Sequence, residues 1–144
     1  MARRSPGSLR VQSRSAGHVA GTIRPIDGLS SRTNAAIVRL QLRHPGIGSV
    51  ATALASYRRA VRRPGRWLDL RLDRCPCPSC DPVDQRDVLE EALRRLPPAA
   101  SRELRRIVNA LDEEFLRKTL PDPSAFRLSA WHAQAWWRQR LQER

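Results

Sequence analysis

Apolar residues recur through the second half of this chain at the spacing of helices, and only prolines interrupt them. Val88, Leu89, Ala92, Leu93 and Leu96 share one stripe, the i, i+3, i+4 pattern of an amphipathic helix. Asp81 or Asp84 can cap its start, with Pro82 in the first turn, and Pro97-Pro98 ends it. A longer helix is predicted from about Ala99, with Leu104, Ile107, Val108, Leu111 and Phe115 on one face and "LPDP" (Leu120 to Pro123) as its stop. Two helices with so short a joint make an αα-hairpin. The final segment, "SAWHAQAWWRQRLQER", predicts an amphipathic helix capped by Ser129, with Ala130, Ala133, Trp137 and Leu141 on its stripe and Trp131 and Trp136 off it.

The first half is patterned less evenly. In "GSVATALASYRRAVRRPG", Ser49 is a cap, Val50, Ala53, Leu54, Tyr57 and Val61 form a stripe, and Pro64-Gly65 is a terminator. "SRTNAAIVRLQLRHPG" supports two readings. Ser, Thr and Asn as caps followed by Ala36, Ile37 and Leu40 suggest a short helix, whereas Val38, Leu40 and Leu42 alternating with Arg39, Gln41 and Arg43 suggest a strand. Leu68, Leu70 and Leu72 alternate in the same way with Asp69, Arg71 and Asp73. A lone strand needs a partner, and residues 37 to 42 are the available one, so a short two-stranded element is an expectation. Residues 1 to 30 mix Arg, Ser, Gly and Pro with no sustained apolar period, too little to offset the entropy of ordering.

These patterns predict a mainly α protein: a disordered basic tail (1–30) and a single mostly helical domain (31–144). Within the domain, 31–74 is a basic half, 75–83 a Cys/Pro-rich junction, 84–123 the αα-hairpin and 124–144 a Trp-rich terminal helix. At 144 residues one such domain can bury roughly 70% of its unfolded surface without cross-links. No apolar run is long enough to span a membrane, and three cysteines cannot form a complete disulfide framework, which points to a reducing cytoplasm. The tail's Arg- and Ser-rich, acid-poor composition would also suit an organelle transit peptide.

Charge divides the chain at the cysteines. Residues 1 to 74 carry 15 Arg against Asp27, Asp69 and Asp73, a net of +12, while residues 75 to 144 carry 12 basic and 11 acidic residues. All basic residues but Lys118 are arginine, as a GC-rich genome would produce, so their distribution says more than their number. In the hairpin, Glu90 and Arg94, Glu91 and Arg95, Glu113 and Arg117, and Glu114 and Lys118 are acid-then-base pairs at i, i+4, each adding about 0.2–0.5 kcal/mol to a helix. The hairpin is thus matched internally, and the first half has cations to offer a polyanion.

Three places could carry chemistry. "RCPCPSC" holds all the cysteines, and Cys77-Pro78-Ser79-Cys80 resembles the knuckles of zinc ribbons and rubredoxin-like sites, where two thiolates converge on one metal. That resemblance implies a structural zinc at Cys77 and Cys80; Cys75, outside the resemblance, is either a third ligand or pointed away by the intervening Pro76, and His18, His44, His132 or Asp81 could supply the fourth, or two chains could pool cysteines as a homodimer. The alternatives are reduced thiols packed as small hydrophobes in a proline-stiffened turn, and a redox-active dithiol. The second place is the basic helix end, Arg58, Arg59, Arg62, Arg63 and Arg66, with Trp67 beside it. Guanidinium forks suit phosphate and an indole can stack on a base, although cations in a last turn also complement the helix dipole whatever the function. A helix-turn-helix around "HPGIGS" would present Val50, Ala51, Thr52 and Ala53 to base edges, which offer them little, so phosphate contact is the expectation. The third place is Trp131, Trp136 and Trp137 with Arg138 and Arg140, either a partner-protein hot spot or rings folded into the core.

"GIGS" lacks the GK[ST] of a phosphate-cradling loop, neither HExxH nor GxSxG occurs, and no small-molecule substrate site is evident. The expectation is a non-enzymatic nucleic-acid-associated accessory or regulatory protein with an Arg-rich contact surface. Its alternative is a protein-interaction adaptor docking through the Trp-rich helix.

Overall fold

The computed structural model of the protein describes residues 24–68, 81–128 and 130–141. The two-way segment is helical: α1 spans Ser31–Arg43 and buries Thr33, Ala36, Ile37 and Leu40. A strand would have put Leu42 on the same face as Leu40, but Leu42 is 72% exposed. The N-cap is Ser30, one residue ahead of the expected cluster, and its Oγ accepts the Thr33 N–H at 3.2 Å. Asn34 instead holds the preceding turn, accepting the Ile26 N–H at 2.8 Å and donating to the Ile26 and Leu29 carbonyls. Residues 24–30, which composition assigns to the tail, therefore have defined contacts, and Ile26 is buried. The Ser30 N–H and hydroxyl both donate to Glu103, at 2.9 and 3.0 Å, and these bonds, with those of Thr33, hold the Glu103 carboxyl below the usual carboxylate range.

After Arg43 a 3-10 turn (Pro45–Ile47) leads to Gly48, whose φ of +80° lies in the left-handed region that glycine adopts without strain. Helix α2 (Val50–Val61) is capped by Ser49 and buries the expected stripe of Val50, Ala53, Leu54, Tyr57 and Val61. Gln41 reaches back across the turn to accept the Val50 N–H at 2.9 Å. The chain then returns to the bundle at Leu68, which is buried and donates its N–H to the Lys118 carbonyl at 3.1 Å.

The αα-hairpin forms as patterned. Helix α3 (Pro82–Arg95) has Asp81 as N-cap, accepting the Val83 N–H at 2.8 Å, and α4 (Pro98–Arg117) starts after the Leu96-Pro97 joint. Ser101 Oγ donates to the Leu93 carbonyl at 2.8 Å and ties the two helices at the bend. On α4, Ala100, Leu104, Val108, Leu111 and Phe115 are buried, four turns of one stripe. Helix α4 packs against α1, α2 and α3, and α2 makes its most extensive contact with α3. No helix among the described residues is long and apolar enough to cross a membrane.

The terminal segment is not the continuous helix its stripe predicts. Among its described residues only Ala130–Ala133 (α5) is α-helical, followed by a 3-10 turn at Trp136–Gln139 and a two-residue strand, Arg140–Leu141 (β2). That strand pairs antiparallel with Leu120–Pro121 (β1), Leu120 opposite Leu141 and Pro121 opposite Arg140. So the two-stranded element lies here, and residues 37–42, its expected contributor, are helical. A helix of so few turns is marginal by itself, and the contacts that Trp137, Arg138 and Arg140 make on the hairpin decide the path instead.

Candidate polyanion interface

The arginines at the end of α2 do not share one environment. Tyr57 and Val61 point into the core, so their successors Arg58 and Arg62, one turn apart, flank the buried stripe. Arg62 lies on the side of α4, with its Nε 4.0 Å from Glu114 Oε1, and Arg58 is half-buried. Arg59 and Arg63 are exposed and have no acidic partner among the described residues. Arg66 is exposed too, and its guanidinium carbon sits 5.0 Å from the centroid of the Trp67 ring. One face of that indole is therefore already covered by a cation.

These arginines are not needed to finish the helix. The sole lysine donates from Nζ to the Val61 carbonyl at 2.8 Å and to the Arg63 carbonyl at 2.7 Å. Lys118 thus supplies the cationic C-terminal cap of α2, and Glu114, its expected i, i+4 partner, faces Arg62 instead. Arg140 does the same for α4, donating to the Leu116 carbonyl at 3.0 Å and also to the Thr119 carbonyl. Burial holds the Arg140 guanidinium below its usual pKa.

In the interior the charges are paired. Asp112 accepts from the Tyr57 hydroxyl at 2.8 Å and from Arg86 Nε and Nη2 at 2.9 and 3.0 Å, and Arg86 Nη1 donates to Glu90 at 3.0 Å. Burial works against the charge on Arg86, yet the bonds and charges of Asp112 and Glu90 outweigh it and raise its pKa. Trp137 lies over this guanidinium with its ring centroid 4.2 Å from Cζ, and its indole N–H donates to Asp87 at 2.7 Å. Arg138 bridges Asp87 and Asp84, the latter at 2.8 Å. Burial again opposes that charge, and the two aspartates overcome it. Further out, Glu90 meets Arg94 at 3.3 Å and Glu91 meets Arg95 at 2.5 Å, as the i, i+4 spacing predicts.

Trp137 is consequently spent inside the molecule, and Trp136 packs half-buried beside it. Trp137 is 5% exposed, and Tyr57, Phe115, Trp136 and Trp137 form a ladder of ring contacts with centroids 5.8–6.0 Å apart. Burial withdraws Trp137 from the expected partner-binding role, whereas Trp136 keeps part of its surface exposed. Trp131 is the second residue of α5, and its side chain lies outside what the structure describes.

Cys75, Cys77 and Cys80 lie outside the described residues as well, as does His18. Among the described residues no three His, Cys, Asp or Glu side chains converge as a metal site. Of the fourth-ligand candidates, Asp81 is occupied in capping α3, and burial raises its carboxyl pKa. His44 is exposed, with Nδ1 3.1 Å from Arg95 Nη1.

One group escaped sequence reasoning. Arg32, Arg39 and Arg43 follow at intervals of seven and four along α1 and are all exposed, with no acidic partner among the described residues. The intervals put them on one solvent-facing stripe. That spacing was visible in the sequence, but it carries meaning only once the segment is known to be a helix. No protein-family model matches the chain, and neither a curated protein nor a solved structure is significantly similar to it.

Proposed function

We propose that this is a non-enzymatic nucleic-acid-associated accessory or regulatory protein that contacts phosphates through the end of α2, with Arg59, Arg62, Arg63 and Arg66 exposed and Arg58 half-buried among them. One observation carries this reading. The acidic side chains of the hairpin are largely engaged in internal pairs, and Lys118 already caps α2, so the exposed Arg59 and Arg63 are left with no acidic partner among the described residues. A structural zinc at Cys75, Cys77 and Cys80 belongs to the same proposal, as a fastening between α2 and α3. The adaptor reading is weakened by the burial of Trp137 and the ring contacts of Trp136.

Fluorescence anisotropy on a labelled duplex, across a salt series, tests it. Affinity should fall with salt at a slope of about 0.9 in log K per phosphate contacted. Replacing Arg59, Arg63 and Arg66 with glutamine should reduce the slope by about 0.9 for each phosphate that is no longer neutralised. No binding at low salt, or a triple variant with the slope of the parent protein, would refute it.

A further inference from the structure

Helix α1 runs antiparallel to α4: Ser30, just ahead of α1, bonds Glu103 in the second turn of α4, and residues further along α1 lie against its start. Small side chains meet there, Thr33 and Ala36 from α1 and Pro97, Ala99 and Ala100 from α4, and they leave a recess of about 170 Å³ at the surface. That is less than the roughly 300–1,000 Å³ of small-molecule and cofactor pockets, and it suits one apolar side chain. Thr33, Ala36 and Ala100 are buried and form the floor. The floor's hydroxyl is already engaged, since Thr33 Oγ1 accepts from Ser30 Oγ at 3.1 Å. Cations border the recess. Arg32 and Arg39 line it from α1, exposed and without an acidic partner among the described residues, and Arg43 continues their row one turn on. On α4 the exposed Arg102 and Arg106 follow the lining residues Ala99 and Glu103 at i, i+3. Glu103 itself is held by the Ser30 N–H and hydroxyl. Arg32 stands in the first turn of α1, where a cation opposes the helix dipole, so helix stability does not account for it.

We propose that the groove between α1 and α4 docks an acidic amphipathic helix of a partner protein, with one apolar side chain seated in the recess and carboxylates meeting Arg32, Arg39 and Arg43. This goes beyond the nucleic-acid reading and shares no residue with the end of α2. The intervals of seven and four residues are about 10 and 6 Å along a helix. A partner helix laid along α1, with Asp or Glu at the same intervals, therefore presents a carboxylate to each guanidinium while its apolar stripe faces the groove. Leu42, 72% exposed and one turn beyond Arg39, adds apolar area beside the row. Nucleic acid would match the cations but not the floor. No aromatic ring among the described residues lines the recess for a base to stack on, and a phosphodiester has no apolar group to fill it.

The test separates the recess from the charge. Its probe is a labelled synthetic helix with leucines at i, i+4 and i+7 and glutamates beside them at the intervals of the arginines, followed by fluorescence anisotropy. Replacing Arg32 and Arg39 together with glutamine should weaken binding about tenfold, within the range of two exposed ion pairs, and flatten its salt dependence. Ala99→Leu fills the recess from an exposed position without changing charge. It should weaken binding by about tenfold or more, the worth of one buried apolar side chain, and leave the salt slope and the affinity for a DNA duplex unchanged. Ala99→Ser, which keeps the recess open, should bind the peptide like the parent protein, and thermal melting verifies that each variant is folded. Peptide binding that A99L or the double variant leaves unchanged, or no binding up to about 1 mM, overturns the proposal. Duplex binding weakened by A99L would hand the groove to nucleic acid and overturn it as well. A parent protein that binds the peptide in this pattern but no duplex supports the groove and refutes the nucleic-acid reading alone.

Discussion

Replacing Asp112 with asparagine should be among the most damaging single changes available, for a reason that can be worked from the geometry. Asp112 is 7% exposed and Arg86 3%, and the carboxylate receives Arg86 Nε at 2.9 Å, Arg86 Nη2 at 3.0 Å and the Tyr57 hydroxyl at 2.8 Å. An asparagine side chain here would keep the shape and could still accept from Tyr57. Its amide, however, would present a neutral oxygen or an N–H to a buried guanidinium. With charge centres about 4 Å apart and an effective dielectric near 20, the lost attraction is about 4 kcal/mol. This agrees with the roughly 3–5 kcal/mol seen when one partner of a buried pair is removed. Glu90, 3.0 Å from Arg86 Nη1, is partly open to solvent screening and recovers only part of it. Against a total of about 5–15 kcal/mol, D112N should lower the melting temperature by roughly 10–20 °C. Urea unfolding followed by tryptophan fluorescence and circular dichroism measures this, since Trp137 lies on Arg86. Arg86→Met alone should also destabilise, and the double variant should cost less than the sum by about 1–3 kcal/mol. A D112N cost below about 1 kcal/mol, or additivity with R86M, would refute a coupled buried pair.

Two further outcomes follow from the same interior. Burial, then the charge and hydrogen bond of Asp112, push the Tyr57 phenol far above its usual 10.0. Unfolded tyrosine ionises near that value while the native residue keeps its proton, so the native state binds more protons above about pH 10 and loses stability there by about 1.4 kcal/mol per pH unit. Below that pH the contribution is flat. Tyr57→Phe should lack this alkaline component, and urea midpoints compared from about pH 9 to about pH 11 report it; an identical slope in the variant would count against the assignment. Lys118→Met strips the cap from the Val61 and Arg63 carbonyls and should cost about 1–2 kcal/mol, with faster amide exchange in the last turn of α2. Unchanged stability and exchange would show that water caps the helix equally well.

The hairpin was legible because its information is local. Leu104, Val108, Leu111 and Phe115 repeat at helical intervals, Asp81 and Pro82 begin one helix, and Pro97-Pro98 separates it from the next. Each of those signals acts within a turn or two of the residue that carries it. The glutamates of α3 pair with the arginines four residues on for the same reason. Arg86 was illegible for the opposite reason. By sequence it is one more basic residue on a charged helix, and it enters the core only because Asp112 on α4, Tyr57 on α2 and Trp137 near the end of the described chain converge on it.

By itself, then, the sequence determined the helical class, the hairpin, the stripes that pack and the excess of cations in the first half, all consequences of periodicity, capping and charge that neighbouring residues settle among themselves. Tertiary structure decided which cations are engaged. Lys118 left Glu114 for the end of α2, Arg140 took a carbonyl at the end of α4, Arg138 and Trp137 drew the terminal segment out of a continuous helix, and Arg58 kept a buried donor without an acceptor among the described residues. Such pairings join residues some twenty to sixty positions apart in the chain, and their energies depend on distance and burial, quantities that exist only after the helices have packed.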